Sequence, residues 1–262
     1  MEYFTMNNGQ KIPAVGLGTN TIARPGGDMK ALDIGLKMGY RLLDSAIVYD
    51  NEAGIGQVIG QSDIPREDLF IVTKIGCRTD MTETREMIIE RVDQSLKNFK
   101  VNIIDLYLIH FPGENLTNIM LTWDTLTELM LQGKIRSIGV SNFQIEHLEL
   151  LLSKSAVKPV VNQVQYNSQN WNDEAVDYCQ KMNILPMAYS PISNMNDAYI
   201  EALAQIGQKH DKSWAQVQLR YNYQMGLCSV PKSHNQAHQI ENLDIFDFVI
   251  DEKDMAYIKE IR

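Results

Sequence analysis

The chain has 262 residues, 33 acidic against 24 basic, for a formal net charge of −9; that balance excludes a general nucleic-acid binder, which needs a basic stripe to displace counterions from phosphates. An apolar fraction of 44 % with 22 % charged side chains belongs to a globular protein able to bury a large core, not to a disordered or fibrous chain. No apolar run exceeds four residues, and the N-terminus Met1-Glu2-Tyr3-Phe4-Thr5 has neither a basic segment nor an apolar stretch, so the expectation is a cytoplasmic protein with no membrane span and no secretory signal.

In chain order, the first β-rich run ends at Thr19 and the second at Asp44. Gly54-Ile-Gly-Gln-Val-Ile-Gly60 follows and approaches the dinucleotide fingerprint, but it has one residue too many before the third glycine and follows no clear strand. It is expected inside a helix whose glycines allow close packing. A strand is expected over Leu69–Thr73. A helix should then start at Asp80 as N-cap, with Glu83 three residues on and Ile88, Val92, Leu96 and Phe99 along one face. Further strands are expected over Ile103–Ile109 and Val160–Val164. Asp251 to Arg262 reads as a last helix covering the structure, leaving no room for a long C-terminal loop and predicting an open mouth with weak selectivity for bulky substrates. Cys77, Cys179 and Cys228 are far apart with no C-x-x-C pair, and are expected to be packing residues.

One polar residue interrupts each strand-like run: Thr19, Asp44, Lys74, His110, Asn142, Gln163, Tyr189 and Lys232, at spacings of 21 to 43 residues. Each spacing accommodates a helix and a return strand. Eight βα units favour an α/β fold of the (β/α)8 TIM-barrel type, one domain over residues 1–262, with functional groups gathered at the C-terminal ends of the strands. An open doubly wound sheet is the alternative, and it requires a glycine-rich phosphate turn after the first strand. No such turn is present.

Asp44, Lys74 and His110 at neighbouring strand ends, with Tyr49 just after the second, would form a coupled acid–base group at one mouth. For a phenol of pKa near 10 to exchange a proton both ways at neutral pH, about three units of depression are needed, roughly 4 kcal/mol. An ammonium about 4 Å away supplies energy of that order. A carboxylate, here Asp44, would keep the buried ammonium charged. His110 would donate a hydrogen bond that orients a substrate oxygen.

The segments Gly16-Leu-Gly-Thr19, Arg41-Leu-Leu-Asp-Ser-Ala46 with Tyr49 and Asn51-Glu52, Thr73-Lys74, Leu108-Ile-His110, Gly139-Val-Ser-Asn-Phe143, Asn162-Gln163, Ala188-Tyr-Ser-Pro191 and Pro231-Lys-Ser233 with Glu241-Asn242 resemble the aldo-keto reductases, and most of all the bacterial branch that includes the 2,5-diketogluconate reductases. The resemblance runs in order over almost the whole chain. It implies an NAD(P)H-dependent oxidoreductase that reduces small dicarbonyls, aldehydes or keto sugars to alcohols by hydride transfer. Tyr49 would be the general acid, Lys74 would lower its pKa, Asp44 would hold Lys74, and His110 with Phe111 would meet the substrate. Ser141, Asn142 and Gln163 would bind the nicotinamide carboxamide, and Tyr189 would stack on the ring. Thr19, Asn20, Asp44, Ser190, Pro191 and Ile192 would add cofactor contacts. Lys232 and Ser233 would take the adenosine 2′-phosphate, with Glu241 and Asn242 at the adenine.

One position departs from the family pattern. His238 stands where an arginine is usual, and a neutral imidazole offers neither a permanent charge nor a bidentate fork. NADP(H) is therefore the expected cofactor, with measurable use of NAD(H). Tryptophan is common where this chain has Asn20, so the aromatic wall around the substrate is only partly present. His234 and His238 lie four apart but no H-E-x-x-H motif accompanies them, so no metal site is expected. His147 and His210 read as surface residues. The partner is a small carbonyl compound, with no nucleic acid and no membrane, and the chain is expected to be a monomer. Two other readings are a Schiff-base lyase with Lys74 as nucleophile, which Asp44 opposes, and a non-catalytic subunit that binds or senses a nicotinamide cofactor.

Overall fold

A computed structural model describes every residue of the chain except 26, 28, 77–83, 114 and 115. An antiparallel hairpin, β1 (Tyr3–Thr5) and β2 (Lys11–Pro13), comes first. Eight strands follow: β3 (Leu17–Gly18), β4 (Leu42–Asp44), β5 (Phe70–Ile75), β6 (Leu106–Ile109), β7 (Ile138–Ser141), β8 (Val161–Gln165), β9 (Leu185–Tyr189) and β10 (Cys228–Val230). They pair in chain order, all parallel. The first and last meet through Gly16 N–H to Ser229 O (2.9 Å), Ser229 N–H to Ala14 O (3.0 Å) and Gly18 N–H to Pro231 O (2.9 Å). The sheet therefore curls into the expected (β/α)8 barrel rather than remaining open.

The helices are α1 (Lys30–Met38), α2 (Glu52–Gln61), α3 (Arg85–Phe99), α4 (Leu116–Leu131), α5 (Ile145–Lys154), α6 (Asp173–Lys181), α7 (Asp197–Gln208), α8 (Trp214–Gln224), α9 (Gln236–Leu243) and α10 (Glu252–Glu260). The longest spacing in the sequence, between Tyr189 and Lys232, holds two helices, α7 and α8. Apolar side chains divide into two clusters because successive residues of a strand face opposite ways. One, with Leu42, Val72, Leu108, Val161 and Met187, fills the barrel interior, and Met6 and Ile12 of the hairpin join it. The other packs between strands and helices.

Two local expectations are corrected. The helix expected from Asp80 begins at Arg85, where Thr84 caps it by accepting from Met87 N–H (3.3 Å); Asp80, Glu83 and Cys77 lie outside the described residues. Its buried stripe is Ile88, Val92, Ser95 and Phe99, with Leu96 only half-buried, because Ser95 is drawn inward to hydrogen-bond a buried carboxylate, Glu52 Oε1 (2.9 Å). The last helix, α10, capped by Asp251 (2.8 Å to Asp254 N–H), is the final helix expected from Asp251 and packs against α7, tied by Lys209 to Asp254. The glycine-rich segment does lie in a helix, α2. A Cβ on Gly54 or Gly56 would stand 2.1 Å from the carbonyl oxygen of Ala23 or Asn98, so close helix packing explains both glycines. Cys179 and Cys228 are buried thiols. Among the described residues no helix is long and apolar enough to cross a membrane.

Candidate active site

The polar residues singled out along the chain converge at one end of the barrel because parallel strands present all their C-terminal ends to the same side. A cavity of about 370 Å³ there is lined by Thr19, Asn20, Asp44, Tyr49, His110, Phe111, Asn142, Gln163, Tyr189, Ser190 and Lys232, together with Gly18, Ser193 and Val230. That volume lies within the range of small-ligand clefts. Ser141 and Lys74 sit beneath its floor, both fully buried.

Lys74 is the most constrained of these groups. Its ammonium donates to both Asp44 oxygens (2.8 and 2.9 Å) and to the Ser45 carbonyl (2.7 Å). Gln163 Nε2 donates to Asp44 Oδ1 (2.8 Å), so the carboxylate is paired and hydrogen-bonded, as burial requires. Tyr49 ends a single 3-10 turn, Ile47–Tyr49, and the chain then bends through Asp50 in the left-handed region (φ 52°). The next residue locks this bend. Asn51 donates to Thr19 O (2.7 Å), Thr19 Oγ1 (3.1 Å) and Ile22 O (2.9 Å), and accepts from Ser45 Oγ (2.6 Å). Glu52 beside it accepts from Thr73, Ser95 and Asn98; burial pushes its carboxyl above the usual range, and these hydrogen bonds oppose the shift.

The Lys74 ammonium lies 5.1 Å from the centre of the Tyr49 ring. The expected depression of the phenol is nevertheless not the net result. Burial holds Tyr49 above its ordinary value of 10; Lys74 pulls it down through its charge and a side-chain hydrogen bond, and Asp44, a smaller influence than the Lys74 charge, pushes the other way. Tyr49 is therefore a protonated donor at neutral pH. The His110 ring stands edge-on to Tyr49 at 6.0 Å and stacks on Phe111 at 4.6 Å. Its main chain is fixed by Ile75 O (2.8 Å from His110 N) and by Asn142 Nδ2, which donates to His110 O (2.9 Å).

A hydrogen-bonded chain crosses the opposite wall. Tyr189 Oη donates to Asn142 Oδ1 (3.0 Å), Asn142 Nδ2 to Ser141 Oγ (3.0 Å), and Ser141 Oγ to Gln163 O (2.9 Å). Beyond the cavity, Ser233 and Asn235 build the start of α9. Ser233 Oγ accepts from Asn235 N–H (3.0 Å), and Asn235 caps the N–H groups of Ala237 and His238. Lys232, His234 and His238 are exposed there, with His234 Nε2 bonded to Thr21 Oγ1 (3.1 Å). Among the described residues no group of His, Cys, Asp and Glu is placed to hold a metal. Asn242 is buried, and its side chain hydrogen-bonds the Tyr40 hydroxyl, which opposes the rise that burial imposes on that phenol. Pro191 and Ile192 follow Tyr189 and Ser190 on the same loop, and Glu241 is half-buried beside Asn242.

Sequence reasoning gave no role to Ser45, Ser193 or Asn51. The first acts through its carbonyl, which no side-chain pattern encodes, and the second reaches the cavity only through loop geometry. Asn51 stood within a quoted motif, but two of its four partners are backbone oxygens. His147 and His210 are half-buried rather than surface residues: one ring accepts from Gln144 N–H at the start of α5 (3.2 Å), the other packs 5.1 Å from Phe248.

Residues 14–262 match the model of the aldo/keto reductase family. A glyoxal reductase of Bacillus subtilis is 40 % identical over 253 residues, covering 97 % of this chain and 90 % of the relative. A crystal structure of an aldo/keto reductase from Brucella melitensis superposes with a TM-score of 0.93 at 36 % identity, covering 100 % of this chain and 99 % of the other. A Bombyx mori aldo-keto reductase in complex with NADP gives a TM-score of 0.88 at 32 % identity, covering 99 % and 92 %.

Proposed function

We propose that this chain, which belongs to the aldo/keto reductase family, uses NADPH and, less well, NADH to reduce small dicarbonyls, aldehydes or keto sugars to alcohols. The observation that carries the proposal is the convergence of Tyr49, His110 and the Lys74–Asp44 pair on one cavity at the strand ends. The relatives named as glyoxal reductase and as an NADP complex support the substrate class and the cofactor.

When bound, the reduced nicotinamide supplies a hydride to the carbonyl carbon. His110 holds the carbonyl oxygen by a hydrogen bond, and Tyr49 gives its proton to that oxygen as charge develops there. An alkoxide is a far stronger base than a phenolate, so this transfer runs downhill even though burial has raised the phenol. Lys74 favours the phenolate left behind, and Asp44 holds Lys74 in place. Ser141, Asn142 and Gln163 present amide and hydroxyl groups to the carboxamide, Tyr189 offers its ring as a stacking surface, and Thr19, Asn20, Ser190, Pro191 and Ile192 add contacts. Lys232 and Ser233 face the 2′-phosphate, with His238 a weaker aid than arginine, and Glu241 and Asn242 meet the adenine. Both Asp44 oxygens and the Ser45 carbonyl engage the Lys74 amine, which disfavours its use as a Schiff-base nucleophile.

The test is to follow nicotinamide absorbance with methylglyoxal, glyceraldehyde and a keto sugar for the wild type and Tyr49→Phe. Loss of the transferable proton should lower kcat by about 10²–10⁴ with cofactor affinity nearly unchanged. A Phe variant that turns over as fast as the wild type refutes the assignment.

A further inference from the structure

Arg262, which follows α10, is enclosed by aromatic rings, with its side chain only 4 % exposed. Its guanidinium carbon lies 4.9 Å from the Trp171 ring centre and 5.7 Å from those of Tyr166 and Tyr221. Nη1 donates to Tyr166 Oη (2.5 Å) and Nη2 to Asp173 Oδ2 (3.0 Å), while Tyr166 Oη in turn donates to Asp173 Oδ1 (2.9 Å). A planar cation with a fork of donors suits this setting as no other side chain would. Tyr166, Trp171 and Asp173 bracket the loop between β8 and α6. The two shortest of that loop's hydrogen bonds to the next loop are Asn167 Nδ2 to Ser190 O (3.0 Å) and Ser168 Oγ to Asn194 O (2.8 Å); Ser168 N–H to Met195 Sδ (3.4 Å) and Asn194 Nδ2 to Gln169 Oε1 (3.4 Å) accompany them.

The two acceptors are the strained corners of the next loop. Ser190 (φ 53°) and Asn194 (φ 54°) are non-glycine residues in the left-handed region, a conformation that costs roughly 1–2 kcal/mol per residue and persists only where surrounding structure enforces it. Between the corners lie Pro191, Ile192 and Ser193, and Ser190 and Ser193 line the cavity. Among the described residues Arg262 makes no hydrogen bond, ion pair or ring contact with a cavity residue; it connects to the site through this relay and through Tyr166, whose N–H donates to Tyr189 O (3.4 Å).

We infer that Arg262 is a positioning residue for the cofactor: by gripping Tyr166, Trp171 and Asp173 it fixes the β8–α6 loop, whose Asn167 and Ser168 hold the Ser190–Asn194 loop in its binding shape. The inference rests on the proposed cofactor role of Ser190–Ile192. Arg262→Gln frees both corners, so part of the binding energy must then order the loop. The expected result is a dissociation constant for NADPH about tenfold higher, read by quenching of protein fluorescence, and a KM for NADPH raised equally, with kcat at saturating cofactor within about twofold of wild type. Arg262→Lys, which keeps the charge without the fork, should fall between. Ser168→Ala removes one corner bond without touching the aromatic cluster; it should weaken NADPH binding several-fold, and it decides the matter if Arg262→Gln does not fold. A lower melting temperature with an unchanged NADPH dissociation constant in the folded variants would reduce Arg262 to a structural clasp and overturn the inference. Failure of the wild type itself to bind NADPH would instead overturn the proposed function, and this inference with it.

Discussion

Replacing Lys74 by methionine tests the centre of the site most directly. Methionine keeps an unbranched apolar stem of similar length but removes the ammonium's hydrogen bonds to Asp44 Oδ1, Asp44 Oδ2 and Ser45 O and the one to Tyr49. Asp44, with its side chain 5 % exposed, is left with the Gln163 amide as its one side-chain donor among the described residues. Removing one partner of a buried pair leaves an uncompensated charge and costs about 3–5 kcal/mol. At about 2–4 °C per kcal/mol for a chain of this size, the midpoint should fall by roughly 6–20 °C. The double variant Lys74→Met/Asp44→Asn should recover a large part of the loss, because a neutral amide oxygen still accepts from Gln163 and no charge is stranded. Equilibrium unfolding in urea, with thermal melts as a second reading, would measure the cycle. A single variant as stable as wild type, or a double variant whose loss equals the sum of the two singles, would refute the view that Asp44 is held in place by charge pairing.

Three further outcomes are expected. His238→Arg should raise the NADPH over NADH ratio in kcat/KM by about tenfold or more, roughly 1.4 kcal/mol, by adding a permanent charge and a fork, whereas the wild-type ratio should stay below about 10³. Because burial raises the Tyr49 phenol, reduction needs the form that predominates below the raised pKa and should be lost only in strongly alkaline solution; alcohol oxidation needs the phenolate and should climb as pH rises from 7, as paired pH profiles of the two directions would record. Gly56→Ala would place a methyl 2.1 Å from Asn98 O and 2.7 Å from the Phe99 backbone, so α2 and α3 must separate, at a cost of about 1–3 kcal/mol visible as a lower midpoint with little change in turnover per folded molecule.

The barrel was legible because a polar residue at the end of a buried strand contrasts with its apolar neighbours. Asp44, Lys74, His110, Gln163 and Tyr189 each interrupt such a run, and the strands carry them to one rim. Helix starts were less legible. Asp80 and Thr84 are both acceptable caps, and the choice between them depends on where the chain leaves β5, which is set by tertiary packing. Ser95 was overlooked for a related reason. An inward serine breaks the apolar stripe, and only the buried Glu52 carboxylate across from it explains the exception. The Asn51 clamp could not be foreseen from spacing, since its acceptors are backbone carbonyls of a loop some thirty residues away.

The protonation of Tyr49 shows why a list of charged neighbours is not enough to set a pKa. A lone ammonium beside a phenol would supply several kcal/mol toward ionisation, and that reasoning holds for Lys74 taken alone. In the folded protein burial, the largest influence, withholds the water that would solvate a phenolate, and Asp44, 2.8 and 2.9 Å from the ammonium, offsets part of its pull. The arrangement thus favours giving a proton over taking one: it suits an acceptor that becomes strongly basic during the reaction, as a carbonyl oxygen does when hydride reaches its carbon, and it resists abstraction of a proton from an alcohol. Asp44→Asn removes a charge that raises the phenol, so the alkaline limit of reduction should shift to lower pH; a limit that stays in place or rises would refute this reading.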